Sequence, residues 1–393
     1  VAYIASLLAM YLFASTAWGA LPGLFAAVLY GFAPYRFIDL YVRGAIGEHV
    51  AFIFPPLIFY GLLRMARNNR ETLGGVIAAL GMAGLLLSHN AVALMMLPLV
   101  FLYGVYLYFF IVSREARSRF AGLGAWYLVL GFLLSAFFWI PAFFEGKYTL
   151  RDIVTKGDFS ARFVPWQWFF VSPWNYGGGN EFTKEIGILQ WLSIISAFII
   201  FLRIKSRGAK WFIGGSLVSI VLSLWLMTDS AGFVWEKVTL LQKFQFPWRF
   251  LTIAVLLSSF LGGFVVSHIP KKFTVPVVIG FIGLIFLSTR GMWSAKEYMV
   301  RDDDFYRGIY DGTTDTGESS PIWSIRFMEH RPKAVYEAIE GEVMIVPGFR
   351  NSTRHEFTVS AKTDARIVDN TLYFPGWNVK VDDQKIPVEF QDP

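Results

Sequence analysis

The first 289 residues contain about ten predominantly apolar stretches, each close to the length needed to cross the hydrocarbon core of a membrane. They cover about 1–17, 19–35, 49–66, 72–88, 90–112, 120–143, 187–203, 211–228, 247–268 and 272–289. A backbone in lipid must satisfy its own hydrogen bonds, so stretches of this length predict helices. The sequence therefore predicts a polytopic α-helical membrane protein with about ten transmembrane helices.

The connections between these stretches alternate in charge. The connections at 64–71, 114–119, 203–210 and 271–272 carry 12 Lys and Arg residues against Glu71 and Glu115 alone. Cytoplasmic loops are enriched in Lys and Arg, so these four are assigned to the cytoplasm. The outer side then receives 36–48, 88–90, 144–186, 229–246 and everything from 290. This pattern predicts a multi-pass protein of the cytoplasmic membrane.

The composition changes near residue 290. Residues 1–289 hold 22 basic and 11 acidic residues, whereas 290–393 hold 13 and 18. Short β-branched and aromatic runs punctuated by turns predict a soluble, mainly-β domain at 290–393, on the extracytoplasmic side. The basic loops facing an anionic leaflet explain the positive charge, so no nucleic-acid partner is implied. We expect a fragment, because the chain begins at Val1 inside an apolar stretch and the β domain ends abruptly.

Two of the predicted outer connections have an unusual composition. In 36–48, Arg36, Asp39 and Arg43 have the spacing of one helix face, which predicts a short amphipathic helix lying at the outer surface. The loop 144–186 is long and rich in aromatic residues, including Trp166 and Trp168. Aromatic faces stack on sugar rings, but an interfacial aromatic belt has the same composition. Both interpretations of the loop remain open.

Ionisable residues near the membrane boundary form the first candidate site. Asp39, Arg43 and Glu48 favour either a salt-bridged helix facing headgroups or a phosphate clamp with a carboxylate as acid or base. His89, at the tip between two apolar helices, either assists a phosphate or proton transfer or belongs to a capping turn. Arg249 either reaches outward to the interface or binds an anionic headgroup.

Cofactor signals are weak. The chain has no cysteine, which excludes a thiolate nucleophile and a Cys-ligated metal. No nucleotide-cofactor motif is present. A divalent metal is conceivable at the acidic runs 302–304 and 311–318, although their spacing does not match a calcium-binding loop and solvated turns have the same composition.

Four motifs carry a resemblance to known families: APYRFIDLYVRGAIGEHVAFIFPPL (33–57), LSHNAVALMMLPL (87–99), FQFPWRFL (244–251) and LYFPGWNVKVDD (372–383). The first three resemble the 6-pyruvoyl-tetrahydropterin synthase-related membrane domain, grouped with the C-type superfamily of membrane glycosyltransferases. The fourth is similar to the extracytoplasmic β domain of YfhO-like membrane proteins. The resemblance implies transfer of a sugar from a polyprenyl-phosphate donor at the outer face, to a glycan or protein acceptor.

Site residues follow from this resemblance. Such enzymes place an acidic residue in the first external loop; we expect that loop to precede Val1, so Asp39 or Glu48 would stand in for it. Arg43 and Arg249 would bind the lipid phosphate, His89 would support the phosphate or proton transfer, and Trp166 and Trp168 would contact sugar. Pterin synthase activity is not expected, because the five histidines form no evident zinc cluster. The alternative is a non-catalytic protein of envelope assembly or of polysaccharide or lipid transport.

Overall fold

In a computed structural model of the protein, the described residues are 1–67, 71–151, 159–174, 182–293, 298, 300–307, 317–324, 327 and 331–390. The chain divides into two units, one of 1–140 and 157–298 and one of 141–156 and 299–393. Each unit is described by itself. The domain boundary at 290 expected from composition stays a prediction.

Helices dominate the chain up to residue 293. In order they are α1 (Ala2–Trp18), α2 (Ala20–Gly31), α3 (Pro34–Phe37), α4 (Ile46–Ala51), α5 (Phe54–Ala66), α6 (Glu71–Ser88), α7 (Asn90–Phe110), α8 (Arg117–Leu134), α9 (Ala136–Phe144), α10 (Ile188–Arg203), α11 (Arg207–Leu226), α12 (Gly232–Lys237), α13 (Thr239–Gln242), α14 (Leu251–Ser267) and α15 (Lys271–Thr289). Short 3₁₀ turns lie at Arg114–Ala116, Gly146–Tyr148, Ser160–Arg162, Trp166–Phe169, Asp229–Ala231, Pro247–Phe250 and Arg290–Met292. Each of the ten predicted apolar stretches contains helix.

Six described segments are long and apolar enough to cross a membrane: Ile46–Ala66, Glu71–Ser88, Asn90–Phe110, Arg207–Leu226, Pro247–Ser267 and Lys271–Met292. Two further pairs, Ala20–Gly31 with Pro34–Val42 and Arg114–Leu134 with Ala136–Phe144, are bent by 49° and 68°. Counting each bent pair as one span raises the number to eight. Ala2–Trp18 and Ile188–Arg203 are apolar but shorter. The multi-pass helical character is confirmed, and the count of ten stays a prediction.

Helix α14 lies inside the helical unit. In an apolar stretch of 18 residues, 89% of the residues are buried in Pro247–Ser267 and 17% in the following segment, Lys271–Met292. Helix α14 packs against α1, α2, α10 and α11. Small residues permit such close helix packing in membranes, and Gly262 and Gly263 occupy buried or tightly approached positions on α14. The position of α14 is therefore fixed by its packing against several other helices.

The segment 36–48 differs from the expected amphipathic surface helix. Helix α3 continues as a π-helical turn at Ile38–Val42, the chain breaks at 43–45, and α4 follows. Arg36 and Asp39 are fully buried rather than exposed to headgroups. Arg36 is paired with Ser6 and the Phe52 ring from other segments, and Asp39 is paired with Arg43, so burial of both charges is possible. Helical π turns occur frequently at functional sites.

The second unit contains the described strands. They are β1 (Tyr336–Glu340), β2 (Val343–Arg350), β3 (His355–Ala361), β4 (Arg366–Asp369), β5 (Val379–Val381) and β6 (Gln384–Ile386), paired antiparallel as β1 with β4, β2 with β3, and β5 with β6. A short helix, α16, lies at Asp303–Arg307. The isolated bridge between Thr149 and Pro321 lies within this unit. A strand-rich C-terminal region is confirmed, and its extracytoplasmic placement stays a prediction.

Candidate functional site

Three separate parts of the sequence meet in one buried ion cluster. Asp39 comes from the π turn, Arg43 follows that turn, Glu48 lies on α4, and Arg249 lies in the 3₁₀ turn that leads into α14. His89, between α6 and α7, interacts electrostatically with Arg249, Glu48 and Arg43. The structure therefore brings together five of the seven site residues predicted from the sequence.

Arg43 is the centre of the hydrogen-bond network. Its Nη1 donates to Asp39 Oδ1 at 2.5 Å, to Glu48 Oε2 at 2.9 Å and to the Tyr35 hydroxyl at 3.1 Å. Tyr35 in turn donates its hydroxyl hydrogen to Glu48 Oε1. Burial lowers the pKa of Arg43, but Tyr35, Glu48 and Asp39 outweigh burial and raise it above its usual range. The guanidinium is thus a fixed positive charge.

The two carboxylates are not equivalent. Glu48 uses both oxygens, because Oε1 accepts from Tyr35 and Oε2 accepts from Arg43 and lies 3.4 Å from Arg249 Nε. Asp39 uses Oδ1 alone, and its buried Oδ2 has no hydrogen-bond partner among the described residues. Glu48 therefore orients the arginines, whereas Asp39 keeps one oxygen available for a proton.

Access to the cluster is through the arginines. The side chains of Arg43 and Arg249 are 12% and 11% exposed, whereas those of Asp39 and Glu48 are 0% exposed. Arg249 Nη1 also donates to the Phe244 carbonyl at 2.7 Å. A ligand approaching from outside would meet guanidinium groups first, so the arrangement favours binding of an anion.

His89 has one ring nitrogen that can donate a hydrogen bond in this site. Its Nδ1 accepts from the Val92 amide at 3.3 Å and caps the start of α7, so the neutral ring carries its proton on Nε2. Burial, together with the positive charge of Arg249, lowers the pKa of His89 to about 4. At neutral pH the ring is therefore uncharged. It can donate from Nε2, and the capping hydrogen bond occupies the nitrogen that a general base would need.

The tip that carries His89 lies against α4. A Cβ atom at Gly47 would come within 2.8 Å of the Ser88 carbonyl oxygen and 3.7 Å of the His89 ring. Only glycine allows backbones to approach this closely. The close contact between Gly47 and the Ser88–His89 tip therefore brings His89 near Glu48.

The two predicted sugar-binding tryptophans lie in different environments. Trp166 is 67% exposed, and its ring packs edge-to-face with Phe170. Trp168 is half-buried, with the Lys184 ammonium 5.1 Å from its ring centre. Lys184 also lies over Trp248, which stacks on Phe246 beside the arginines. Trp168 is thus connected to the ion cluster, and no described contact connects Trp166 to it.

Several residues of the site were not predicted from the sequence. Tyr35, Lys184, Phe246 and Arg162 all contact the cluster or its aromatic edge. Phe246 lies inside the FQFPWRFL motif, so its proximity to Arg249 in the chain was a usable signal. Arg162 is 83 positions from its hydrogen-bond partner Gln245, and nothing in the local sequence marks that contact.

Arg36 lies close enough to Asp39 to interact with its charge, but its hydrogen bond and ring contacts are outside the ion cluster. It is fully buried, its Nη2 donates to Ser6 Oγ at 2.7 Å, and its guanidinium lies 4.2 Å from the Phe52 ring centre. Tyr3 and Tyr30 flank it at 5.3 and 5.4 Å. Aromatic faces partly compensate a buried cation, so Arg36 supports the helix packing beneath the site.

Among the described residues, no group of three or more His, Cys, Asp or Glu side chains is placed to hold a metal ion. Of the acidic runs considered for a cation, 302–304 is exposed, and 311–316 lies outside the described ranges.

Comparison with known proteins gives matches to a relative and to a family profile. A protein of Lactococcus lactis subsp. cremoris (strain MG1363), described only as uncharacterized, is 30% identical over 209 residues. That alignment covers 51% of this chain and 33% of the relative, so the matched region is about a third of that protein's length. No solved structure matches the chain.

The second match is to a family profile. The 6-pyruvoyl-tetrahydropterin synthase related domain, described as a membrane protein, matches residues 2–298. The matched range includes the whole ion cluster and nearly all of the helical unit. The similarity of 372–383 to YfhO-like proteins stays a prediction, but the resemblance inferred from the other three motifs is confirmed: the chain belongs to the 6-pyruvoyl-tetrahydropterin synthase-related family of membrane proteins.

Proposed function

We propose that the chain is the membrane part of an enzyme that transfers a sugar from a polyprenyl-phosphate-linked donor, at the outer face of the cytoplasmic membrane. The observation that carries the proposal is the pair of partly exposed arginines, Arg43 and Arg249, held above the buried carboxylates of Asp39 and Glu48. A fixed guanidinium pair at a membrane boundary suits the phosphate of a lipid carrier.

Each residue has a defined role in this reaction. Arg43 and Arg249 bind the phosphate, and His89 donates a hydrogen bond from Nε2 to the same group. Glu48 positions both arginines. Asp39 is the general base for the acceptor hydroxyl, because its Oδ2 has no hydrogen-bond partner in the described structure. Trp168 lies at the aromatic edge of the cluster, where a sugar ring attached to the phosphate would stack.

The test separates chemistry from binding. Asp39→Asn keeps the side-chain volume and an oxygen for Arg43, so the variant should fold and bind a polyprenyl-phosphate lipid while losing sugar transfer. Transfer would be measured in membrane vesicles with a radiolabelled polyprenyl-phosphate sugar. Glu71→Gln, which changes a carboxylate at the predicted cytoplasmic end of α6, is the control. Wild-type transfer rates in Asp39→Asn would contradict the assignment.

A second function is favoured by the complete burial of both carboxylates. A general base must reach its substrate, whereas Asp39 and Glu48 are 0% exposed behind Arg43. A non-catalytic protein of envelope assembly, or of polysaccharide or lipid transport, would need the arginines for lipid-phosphate binding alone. It would bind the lipid in wild-type and Asp39→Asn forms and show no transfer in either.

A further inference from the structure

Three guanidinium groups surround one aromatic ring. The Arg162, Arg249 and Arg43 guanidinium carbons lie 4.5, 4.9 and 5.9 Å from the centre of the Phe246 ring. Like charges this close repel each other, and the ring faces compensate only part of that cost. Such a group of cations is most stable when an anion lies among them.

The third arginine is held firmly although it comes from the long loop. Arg162 ends the 3₁₀ turn Ser160–Arg162, and the rings of Phe159 and Phe163 on either side pack on Trp235, at 5.6 and 6.1 Å. The Val164 amide donates to the Met227 carbonyl at 2.7 Å. Trp235 is itself fully buried. The position of the Arg162 backbone is therefore fixed by the helical unit.

Gln245 links this arginine to the cluster. Its carbonyl accepts from Arg162 Nη1 at 3.2 Å, and its side-chain Oε1 accepts from Arg249 Nη1 at 3.3 Å. The backbone of Gln245 has a φ of 62°, a left-handed conformation that costs energy for a residue with a side chain. Backbone strain that persists in a folded protein is concentrated at binding and catalytic sites.

The charges around Phe246 do not balance. Asp39 and Glu48 pair with Arg43, and Glu48 is shared with Arg249. In the described part of the chain, no ion pair involves Arg162. Among the described residues, these three guanidinium groups and the two carboxylates sum to one positive charge.

We propose that Arg162 is a third anion-binding residue of this site, bridging with Arg249 the phosphoryl group of an isoprenoid phosphate across the edge of Phe246. The proposal rests on the proposed function, because it names a further residue for the same lipid phosphate. It also assigns a task to the described turn Ser160–Arg162 of the long loop, which supplies this arginine.

The test uses farnesyl phosphate, a short isoprenoid phosphate, with farnesol as the uncharged comparison. Binding to the purified full chain in detergent would be followed by tryptophan fluorescence, since Trp248 stacks on Phe246. A charge-assisted hydrogen bond contributes enough that Arg162→Ala should weaken farnesyl phosphate binding about 10-fold or more. Lys147→Ala removes an exposed positive charge from the same loop and should leave binding unchanged.

The outcomes separate the two proposals. Weakened binding in Arg162→Ala, with unchanged binding in Lys147→Ala, supports the role of Arg162. Equal binding by wild type and Arg162→Ala, with loss in Arg249→Ala, overturns that role and leaves the proposed function intact. Equal affinity of the wild type for farnesyl phosphate and farnesol contradicts lipid-phosphate binding itself. Arg162→Lys retains a charge without the planar fork, so partial recovery in it would identify charge as the main contribution.

Discussion

Replacing Glu48 by alanine tests whether the ion cluster supports the fold as well as the site. The carboxylate is 0% exposed, accepts from Tyr35 and Arg43, and lies 3.4 Å from Arg249 Nε. In Glu48→Ala, Arg43 keeps only Asp39 as an ionic partner, and Arg249 loses its carboxylate. Breaking a buried ion pair by removing one partner costs about 3–5 kcal/mol. We expect Glu48→Ala to lose stability of this size.

The matched control is a second glutamate in a surface pair. Glu71 and Arg119 are 2.7 Å apart, but the arginine side chain is 70% exposed and the glutamate 19%. Exposed pairs contribute about 0–1 kcal/mol. Glu71→Ala should therefore change stability little, although it removes the same carboxylate and the pair is shorter than that between Glu48 and Arg249.

Stability would be measured as the melting temperature of detergent-solubilised protein, with size-exclusion chromatography to confirm that each variant is monodisperse. For a chain of this size, 1 kcal/mol corresponds to roughly 2 °C. Glu48→Ala should then melt at least about 6 °C below the wild type, and Glu71→Ala within about 2 °C of it. Glu48→Gln should fall between, because the amide retains one acceptor oxygen. Equal melting temperatures for Glu48→Ala and Glu71→Ala would refute the reasoning.

Three further predictions follow from other parts of the structure. Burial and the charge of Arg249 lower the pKa of His89 from 6.5 to about 4 in the folded chain. As the pH falls, His89 is therefore protonated in the unfolded chain before it is protonated in the folded chain. The stability contributed by neutral His89 is present above pH 6.5 and is lost as the pH falls towards 4. In His89→Gln, the melting temperature should therefore depend less on pH over this range. Gln245→Val should melt below Gln245→Gly, by the equivalent of about 1–2 kcal/mol, because a β-branched residue is disfavoured at a φ of 62°; equal melting would show that the turn relaxes. The chain has no cysteine, so a single introduced cysteine reports its own side of the membrane. In whole cells, Ser352→Cys, on the predicted outer side, should react with a membrane-impermeant maleimide, and Ser118→Cys, on the predicted cytoplasmic side, should not. The opposite labelling would contradict the proposed orientation.

The helices could be predicted because apolar length is a local property of the chain. All ten predicted stretches contain helix, since each carries its own signal and lipid permits few alternatives. The conspicuous ionisable residues were also predictable, because a charge near an apolar stretch is costly without a partner. Asp39, Arg43, Glu48 and Arg249 met this criterion and lie together.

The contacts that decide the properties of the site are not local. Arg162 reaches Gln245 across 83 positions, and Arg36 reaches Ser6 across 30. The spacing of Arg36, Asp39 and Arg43 predicted one surface helix. Only the first two lie in helical turns, and both are buried, Arg36 against Ser6 of α1. The tryptophans illustrate the same limit. Trp166 and Trp168 are equivalent in composition, yet only Trp168 packs on a residue beside the cluster.

Hydrogen-bond partners distinguish the two candidate carboxylates in a way that the sequence cannot. Both are acidic residues within six positions of Arg43, and both accept a hydrogen bond from it. Glu48 is fully engaged, so a proton on it would weaken its hydrogen bonds with Tyr35 and Arg43, and its pairing with Arg249, at once. Asp39 can gain a proton at Oδ2 while Oδ1 still accepts from Arg43. A reaction that moves a proton through this cluster would therefore use Asp39, with Glu48 fixing the arginines that hold the anion.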